Sequence, residues 1–460
     1  MRETLVQATY LIASVLFILG LKGLSKADTA LRGVNYAAFG MLLAIVGTLF
    51  QQQIVDYRWI AVGLAVGAVI GVPLGTRVPM TAMPQRIAIA LTFGATAATL
   101  VGITEYHDHA DIFSLGQRVA VGLEVVLGAL TVGGSLIAFG KLQEVLPTRP
   151  LTYRGQNAIN FLLLGVILAA LGAVVARTGG MPLFYGLIAL AFLAGVSLVL
   201  PIGGADMPVV VALLNSYSGL ASAATGFAIS NNVLIVSGAL DGASGFLLSM
   251  LMSKAMNRSF TNVLFGAFGS QTASTATAAA GADLVAIPIS AEDAAVQLAY
   301  ASNVVVVPGY GMAVAQAQHQ VRELAELIEK RGGEVRYAVH PVAGRMPGHM
   351  NVLLAEANIP YDKLYDMDEI NGDLSRADVA LVIGANDVVN PAARTDPSSP
   401  IYGMPILNVD EAKSVIVLKR GMSVGFAGID NMLFYQPRTR MLFGDAKASL
   451  VKLVTEIKAV

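Results

Sequence analysis

The 460-residue chain contains no cysteine. That excludes a disulfide scaffold, thiol catalysis and Cys-ligated zinc or iron–sulfur, and leaves the compartment open. Charge is also scarce: Asp, Glu, Lys and Arg make up 13% of the residues, where soluble globular chains carry about 25%. The net charge of −1 leaves no basic footprint for nucleic acid. The shortage is uneven. Residues 1–260 hold 14 Lys/Arg and 10 Asp/Glu, whereas residues 261–460 hold 16 and 21. The first part reads as membrane and the second as an ordinary soluble domain.

What fills the first part is apolar. Residues 4–24 are of spanning length and lack a small-residue cleavage site, so residue 1 is expected to begin the mature chain. Nine segments are long enough to span: 4–22, 36–54, 59–76, 86–104, 117–139, 157–176, 181–202, 207–229 and 232–253. The breaks at 203–207 and 230–232 are short, so eight or ten spans stay open. Alternate loops carry ten Lys/Arg (Lys22, Lys26, Arg32, Arg77, Arg86, Lys141, Arg149, Arg154, Lys254 and Arg258) against four in the others (Arg2, Arg58, Arg118 and Arg177). Positive charge marks the cytoplasmic side. The N-terminus is therefore expected outside and the C-terminal domain inside.

Residues 261–290, with SQTASTATAAAG at 270–281, read as a linker with nothing to build a core. Beyond it, buried strands are expected at 304–307, 334–340, 379–384, 405–409 and 415–419. Helices are expected at 312–331, 346–357, 409–413 and 445–457. This alternation predicts an α/β doubly wound parallel sheet, a Rossmann-like domain over 291–460 following the transmembrane domain of 1–260.

The stretch 304–318 reads as strand, glycine turn and helix. It has Gly309-x-Gly311, with Val314 where a third glycine would sit. Placed after a buried strand, it favours a dinucleotide or other phosphate ligand over a bare tight turn. A domain for NAD puts a carboxylate at the end of the second strand. Here that strand ends in His340-Pro341, with Arg345 behind, which favours NADP. Lys419-Arg420, at another strand end, suits a 2′-phosphate, and a solvated surface pair is the competing reading. Asn386, Asp387 and Asn390 mark a polar strand-end loop, and the glycines of GFAG (425–428) form either a lid or a surface turn.

Blocks at 203–219, 254–260, 308–318, 340–357, 384–393, 418–420 and 441–449 together resemble the beta subunit of proton-translocating NAD(P) transhydrogenase, in order and over essentially the whole chain. The resemblance implies an oxidoreductase of the Si-specific, AB type in a bacterial inner membrane, with its C-terminal domain in the cytoplasm. NADP(H) binds that domain and NAD(H) binds a separate alpha subunit, which also supplies membrane helices. Hydride passes between the two nicotinamides, coupled to proton movement, in a dimer of such units. It further implies that Pro308, Gly309, Tyr310, Gly311, Met312, Ala313 and Val314 touch NADP, with Gly384 and Asn386 beside them. Lys419 and Arg420 hold the 2′-phosphate, and Arg345 lies at the cofactor. Gly425, Phe426, Ala427 and Gly428 form a covering loop. Asp387, Asp206 and Asn215 are tied to proton coupling, and no metal is involved.

One residue departs from the pattern: Leu91 stands where some members carry an intramembrane His, and all five His lie outside the expected spans. The expectation is that the partner's helices supply the protonatable residue, with Asn215 bonding on this side and Glu124 as the rival acid. Two other functions share these features. One is a secondary transporter or channel with a cytoplasmic nucleotide-sensing domain, for which an internal inverted repeat would be expected and none is evident. The other is a membrane-tethered NADP reductase needing no NAD-binding partner.

Overall fold

A computed structural model describes residues 2–24, 27–50, 57–79, 82–147, 150–203, 206–255, 285–344, 348–397, 399, 401–425 and 427–460. The chain divides into two units, one of residues 1–203 and 209–249 and the other of 204–208 and 250–460.

Among the described residues the first unit carries nine helices long and apolar enough to cross a membrane. They are α1 (Arg2–Leu24), α2 (Ala27–Leu49), α3 (Arg58–Thr76), α4 (Met83–His109), α5 (Leu115–Leu142), α6 (Gln156–Val175), α7 (Gly180–Val199), α8 (Met207–Ala228) and α9 (Asn232–Ala255). Both short breaks are real. After α8, Ser230 takes the left-handed φ of 55° and Asn231 N donates to Gly226 O at 2.8 Å, closing the helix. The Asn231 side chain then accepts from Val233 N and Leu234 N at the start of α9. Two bounds differ from expectation. α2 begins nine residues early, taking Asp28 and Arg32 into its first turns, and α4 runs on to His109, so Glu105, His107 and His109 lie on its last turns. Polar residues end the apolar run but do not end a helix at a membrane surface.

With little charge to pair, the helices pack through small residues. A Cβ on Gly195 of α7 would fall 1.9 Å from Leu130 O of α5, and one on Gly219 of α8 would fall 2.4 Å from Gly242 N of α9. Polar contacts join the same helices. Ser216 donates to Gly242 O at 2.7 Å, Asn215 Nδ2 donates to Asp241 Oδ1 at 3.0 Å, and the buried Lys141 donates to the carbonyls of Leu200 and Ile202 at 2.5 and 2.7 Å. The helix α3 buries none of its residues within the unit.

The second unit is built on a six-stranded parallel sheet in the order β3-β2-β1-β4-β5-β6. The strands are β1 (Asn303–Pro308), β2 (Glu334–Val339), β3 (Leu364–Asp366), β4 (Val379–Ile383), β5 (Ser414–Lys419) and β6 (Thr439–Phe443). This is the doubly wound arrangement, with the switch between β1 and β4. Val304 to Val307 and Val379 to Ile383 are nearly fully buried, as strands covered on both faces must be. Residues 287–289, which the sequence assigns to the linker, run beside β6: Met441 N donates to Ile287 O at 2.8 Å and Ile289 N to Met441 O at 3.0 Å. The rest of the expected linker, up to 284, lies outside the described residues.

Three expectations are corrected. Residues 405–408 form no strand, because their polar groups are taken by other partners. His340 Nε2 meets Pro405 O at 2.8 Å, Asn371 Nδ2 donates to Ile406 O and its Oδ1 accepts from Asn408 N, and Leu407 N donates to Val388 O. The helix expected over 312–331 is two, Tyr310–Ala315 and Gln318–Lys330, split where Gln316 takes φ 48°. The one expected at 409–413 is a single 3-10 turn, Val409–Glu411.

The ring of His340 is 1% exposed. Its Nδ1 accepts from Val342 N at 3.2 Å, so the proton of the neutral ring sits on Nε2 and is donated to Pro405 O. Burial pushes this imidazole down from 6.5 to about 4, with the Pro405 carbonyl acting against it. The unfolded chain then binds the proton more tightly than the folded one. Stability is intact above pH 6.5 and falls as pH drops toward 4. Urea denaturation of a fragment beginning at Val285 should show a loss of about 2 kcal/mol between pH 7.5 and 5 from this group. In His340→Gln that component should vanish, whatever the substitution costs at neutral pH. An undiminished pH dependence would assign the effect elsewhere.

Candidate functional site

The site forms where the carboxyl ends of β1, β4 and β5 meet. The constraint there is steric. Gly309 N donates to Ile383 O and Gly311 N to Gly384 O, both at 2.9 Å, so the loops after β1 and β4 lie backbone against backbone. A Cβ on Gly309 would fall 2.4 Å from Ala385 Cα, and one on Gly311 would fall 2.7 Å from Gly384 Cα. Gly384 itself sits at φ 63°. Both glycines of the turn are thus required by contact between loops, where the sequence suggests only room for a ligand.

A cleft of about 660 Å³ opens beside this contact, of a size for a bound small molecule. It brings together Gly309, Tyr310, Gly311, Val314, Gly384, Asn386, Asp387, Lys419, Arg420, Gly425 and Ala427 from the expected set. Pro308, Met312, Ala313 and Gly428 do not line it. Met312 and Ala313 are fully buried in the core beneath the turn. Arg345 and Phe426 lie outside the described residues. Asp206 forms the turn before α8 and Asn215 lies within α8, bonded to Asp241. Neither lines the cleft.

The covering loop is fastened to the strand-end loop by side chains. Asp387 Oδ2 accepts from Ala427 N at 3.0 Å, and Gly425 lies so close that a Cβ would meet Asp387 Oδ1 at 2.4 Å. The buried Asn390 donates to Asp430 O at 3.1 Å, and Asn431 Nδ2 donates to Asn386 O at 3.0 Å. Lys419 Nζ donates to the carbonyls of Gly421 and Ser423 and lies 5.6 Å from the centre of the Phe434 ring. Partial burial pulls this ammonium below the usual lysine range, while Asp387 and Asp430 act against that shift. Lys419 therefore braces the loop. Arg420 is exposed and lines the cleft, with no side-chain partner among the described residues.

Sequence reasoning missed Asn431, Val342–Gly344, and the Gly444–Ala446 wall after β6. β6 has only five residues and includes Arg440, which hid the strand that places Gly444 and Asp445. Asp445 caps the helix Ala446–Ala459 through Lys447 N and Ala448 N.

Nine membrane-length helices among the described residues and a doubly wound domain with a strand-end cleft that includes Lys419 and Arg420 define a multi-pass membrane protein with a Rossmann-like domain. More particularly, the chain belongs to the NAD(P) transhydrogenase beta subunit family, whose sequence profile matches residues 6–456. Two relatives named NAD(P) transhydrogenase subunit beta, both from Rhodospirillum rubrum and one of them from a specified strain, are each 49% identical over 461 residues, covering 99% of both chains.

Arg420→Ala should weaken NADP(H) binding roughly ten- to a hundredfold, the worth of a charge-assisted hydrogen bond, and leave NAD(H) binding nearly unchanged. Titration of both nucleotides checks this. Equal weakening would make Arg420 structural.

Proposed function

We propose that this chain is the NADP(H)-binding, proton-translocating subunit of a membrane transhydrogenase. NAD(H) binds a separate alpha subunit, and hydride passes between the two nucleotides in step with proton movement. The assembly is a dimer of such units in a bacterial inner membrane. The second unit lies in the cytoplasm, the side to which the ten loop cations point, and the hydride transfer is Si-specific, of the AB type.

The observation that carries the reading is the charge at the cleft. Its one unpartnered cation among the described residues is Arg420, and the β2 end offers the neutral His340 in place of a carboxylate. A ribose 2′-OH asks for a carboxylate there and a 2′-phosphate asks for a cation. The glycine turn, the cleft volume and this charge set fit NADP(H). The bound nucleotide would supply the hydride chemistry, so the protein needs neither nucleophile nor metal of its own. The residues would do the rest. Gly309, Gly311 and Gly384 keep the backbone low enough for close approach, Arg420 would hold the 2′-phosphate, and Lys419, Asn431 and Asp387 would keep the loop of 421–428 over the cleft. One glycine-turn unit serves one nucleotide, hence the partner.

A soluble fragment from Val285 to Val460 should bind NADP(H) far more tightly than NAD(H). Calorimetric titration of both cofactors tests this, and equal affinities would defeat the reading. The transporter and reductase alternatives separate by a second assay, since only the transhydrogenase reading requires the NAD-binding partner for hydride exchange.

A further inference from the structure

Among the described residues the membrane unit has one acid that is wholly buried. Glu124 on α5 is 0% exposed, nine residues into the helix from Leu115, or about 14 Å along the axis. Its Oε2 has no hydrogen-bond partner among the described residues. Its Oε1 lies 2.8 Å from Thr225 Oγ1 of α8, and that same hydroxyl lies 3.0 Å from Ala221 O. A threonine hydroxyl has a single proton, and a backbone carbonyl can only accept. Thr225 shares that proton between Glu124 Oε1 and Ala221 O, and a protonated Glu124 would donate to Thr225 and leave the hydroxyl proton wholly to Ala221 O. A carboxylate here would be an uncompensated charge in a helix bundle, which the membrane interior strongly disfavours.

The facing helix connects this acid to a surface. A Cβ on Gly102 of α4 would fall 3.1 Å from Glu124 Cδ, so the two helices touch at this level. Glu105 and His109 follow Gly102 on the same face of α4, one turn and two turns further on. Glu105 Oε2 lies 3.1 Å from His109 Nδ1, and the two side chains are 25% and 47% exposed. Exposure therefore rises stepwise from Glu124 to the end of α4. From α4 the titratable groups toward Glu124 are Glu105, with His109 bonded to it, and Tyr106, whose ring stacks on Phe184 at 3.9 Å. From α8 the facing polar group is Thr225, which does not titrate. Val121, Val125 and Ile167 belong to the hydrophobic cluster of these helices.

We propose that Glu124 is the proton-binding group of this membrane unit, exchanging its proton with the side of the 110–114 loop through Glu105 and His109. The inference rests on the proton-coupled reading above. One proton enters at His109, passes to Glu105 and then to Glu124, which is neutral when loaded. Unloading returns the proton from Glu124 to Glu105 and on to His109, and Thr225 of α8 then donates its own hydroxyl proton to the carboxylate left behind. That helix also carries Asn215, so a movement of α8 changes both polar positions together. An acid of this chain thereby takes the protonatable role at the level of Gly102, eleven residues along α4 from Leu91, and no partner residue is required at this step.

The test uses the complete complex with its partner, reconstituted in vesicles and driven by NADPH and an NAD analogue. If the wild-type complex moves no protons, the transhydrogenase reading itself fails. If it does, Glu124→Gln, which keeps the shape of the neutral acid, should lower proton movement at least roughly tenfold with assembly and NADP(H) content retained. Glu124→Asp should keep part of it, and Glu105→Gln should shift its pH profile. The infrared C=O band of a protonated carboxyl should be present in the wild type, shift in Thr225→Val and be missing in Glu124→Gln. Wild-type pumping in Glu124→Gln, or no carboxyl band lost, would overturn the proposal.

Discussion

The contact on which the nucleotide-fold unit depends is the one between two loops with almost no side chains. Gly309 and Gly311 meet Gly384 and Ala385 backbone to backbone. With the 2.9 Å bonds running from Gly309 N to Ile383 O and from Gly311 N to Gly384 O, this closes the floor of the cleft and fixes the ends of β1 and β4 against each other. The strand-end loop after β4 is placed from that floor. Asn386 and Asp387 follow directly after Gly384-Ala385, and the loop after β5 is seated on them through Ala427 and Asn431. A side chain added at Gly311 would push apart the two strand ends, so its effect would spread to both loops.

The membrane unit solves a different problem with few polar atoms. Its helices approach closely at glycines, and several buried polar groups have defined partners. Lys141 satisfies carbonyls after the end of α7, Asn231 joins α8 to α9, and Thr225 meets Glu124. In a bundle this apolar an acid with one hydroxyl neighbour is a choice of protonation state, because packing alone would be served as well by Leu or Met.

Much of this was legible in the sequence. Spanning length and composition point to about nine helices, and the apolar runs at 304–307 and 379–384 point to the parallel sheet, because burial on both faces leaves a continuous apolar signature. What escaped detection depended on side chains meeting across the chain. Residues 405–408 have strand composition, but His340, Asn371 and Val388 claim their backbone groups. Lys419 and Arg420 read as an equivalent pair, yet one binds loop carbonyls and the other lines the cleft. β3 and β6 are too short, or too mixed, to show periodicity. His109 and Glu105 read as loop by their polarity, although the helix continues through them.

Under the proposed function, the loop after β5 and the strand-end loop, joined at Asp387, would let a proton on this carboxyl and a nucleotide in the cleft influence one another. Asp387→Asn keeps an acceptor for Ala427 N but removes the ionisation. The direct measurement is NADP(H) affinity as a function of pH in the complete complex, wild type against Asp387→Asn. The account predicts that the variant binds with a flattened pH dependence. A profile identical to the wild type would contradict it.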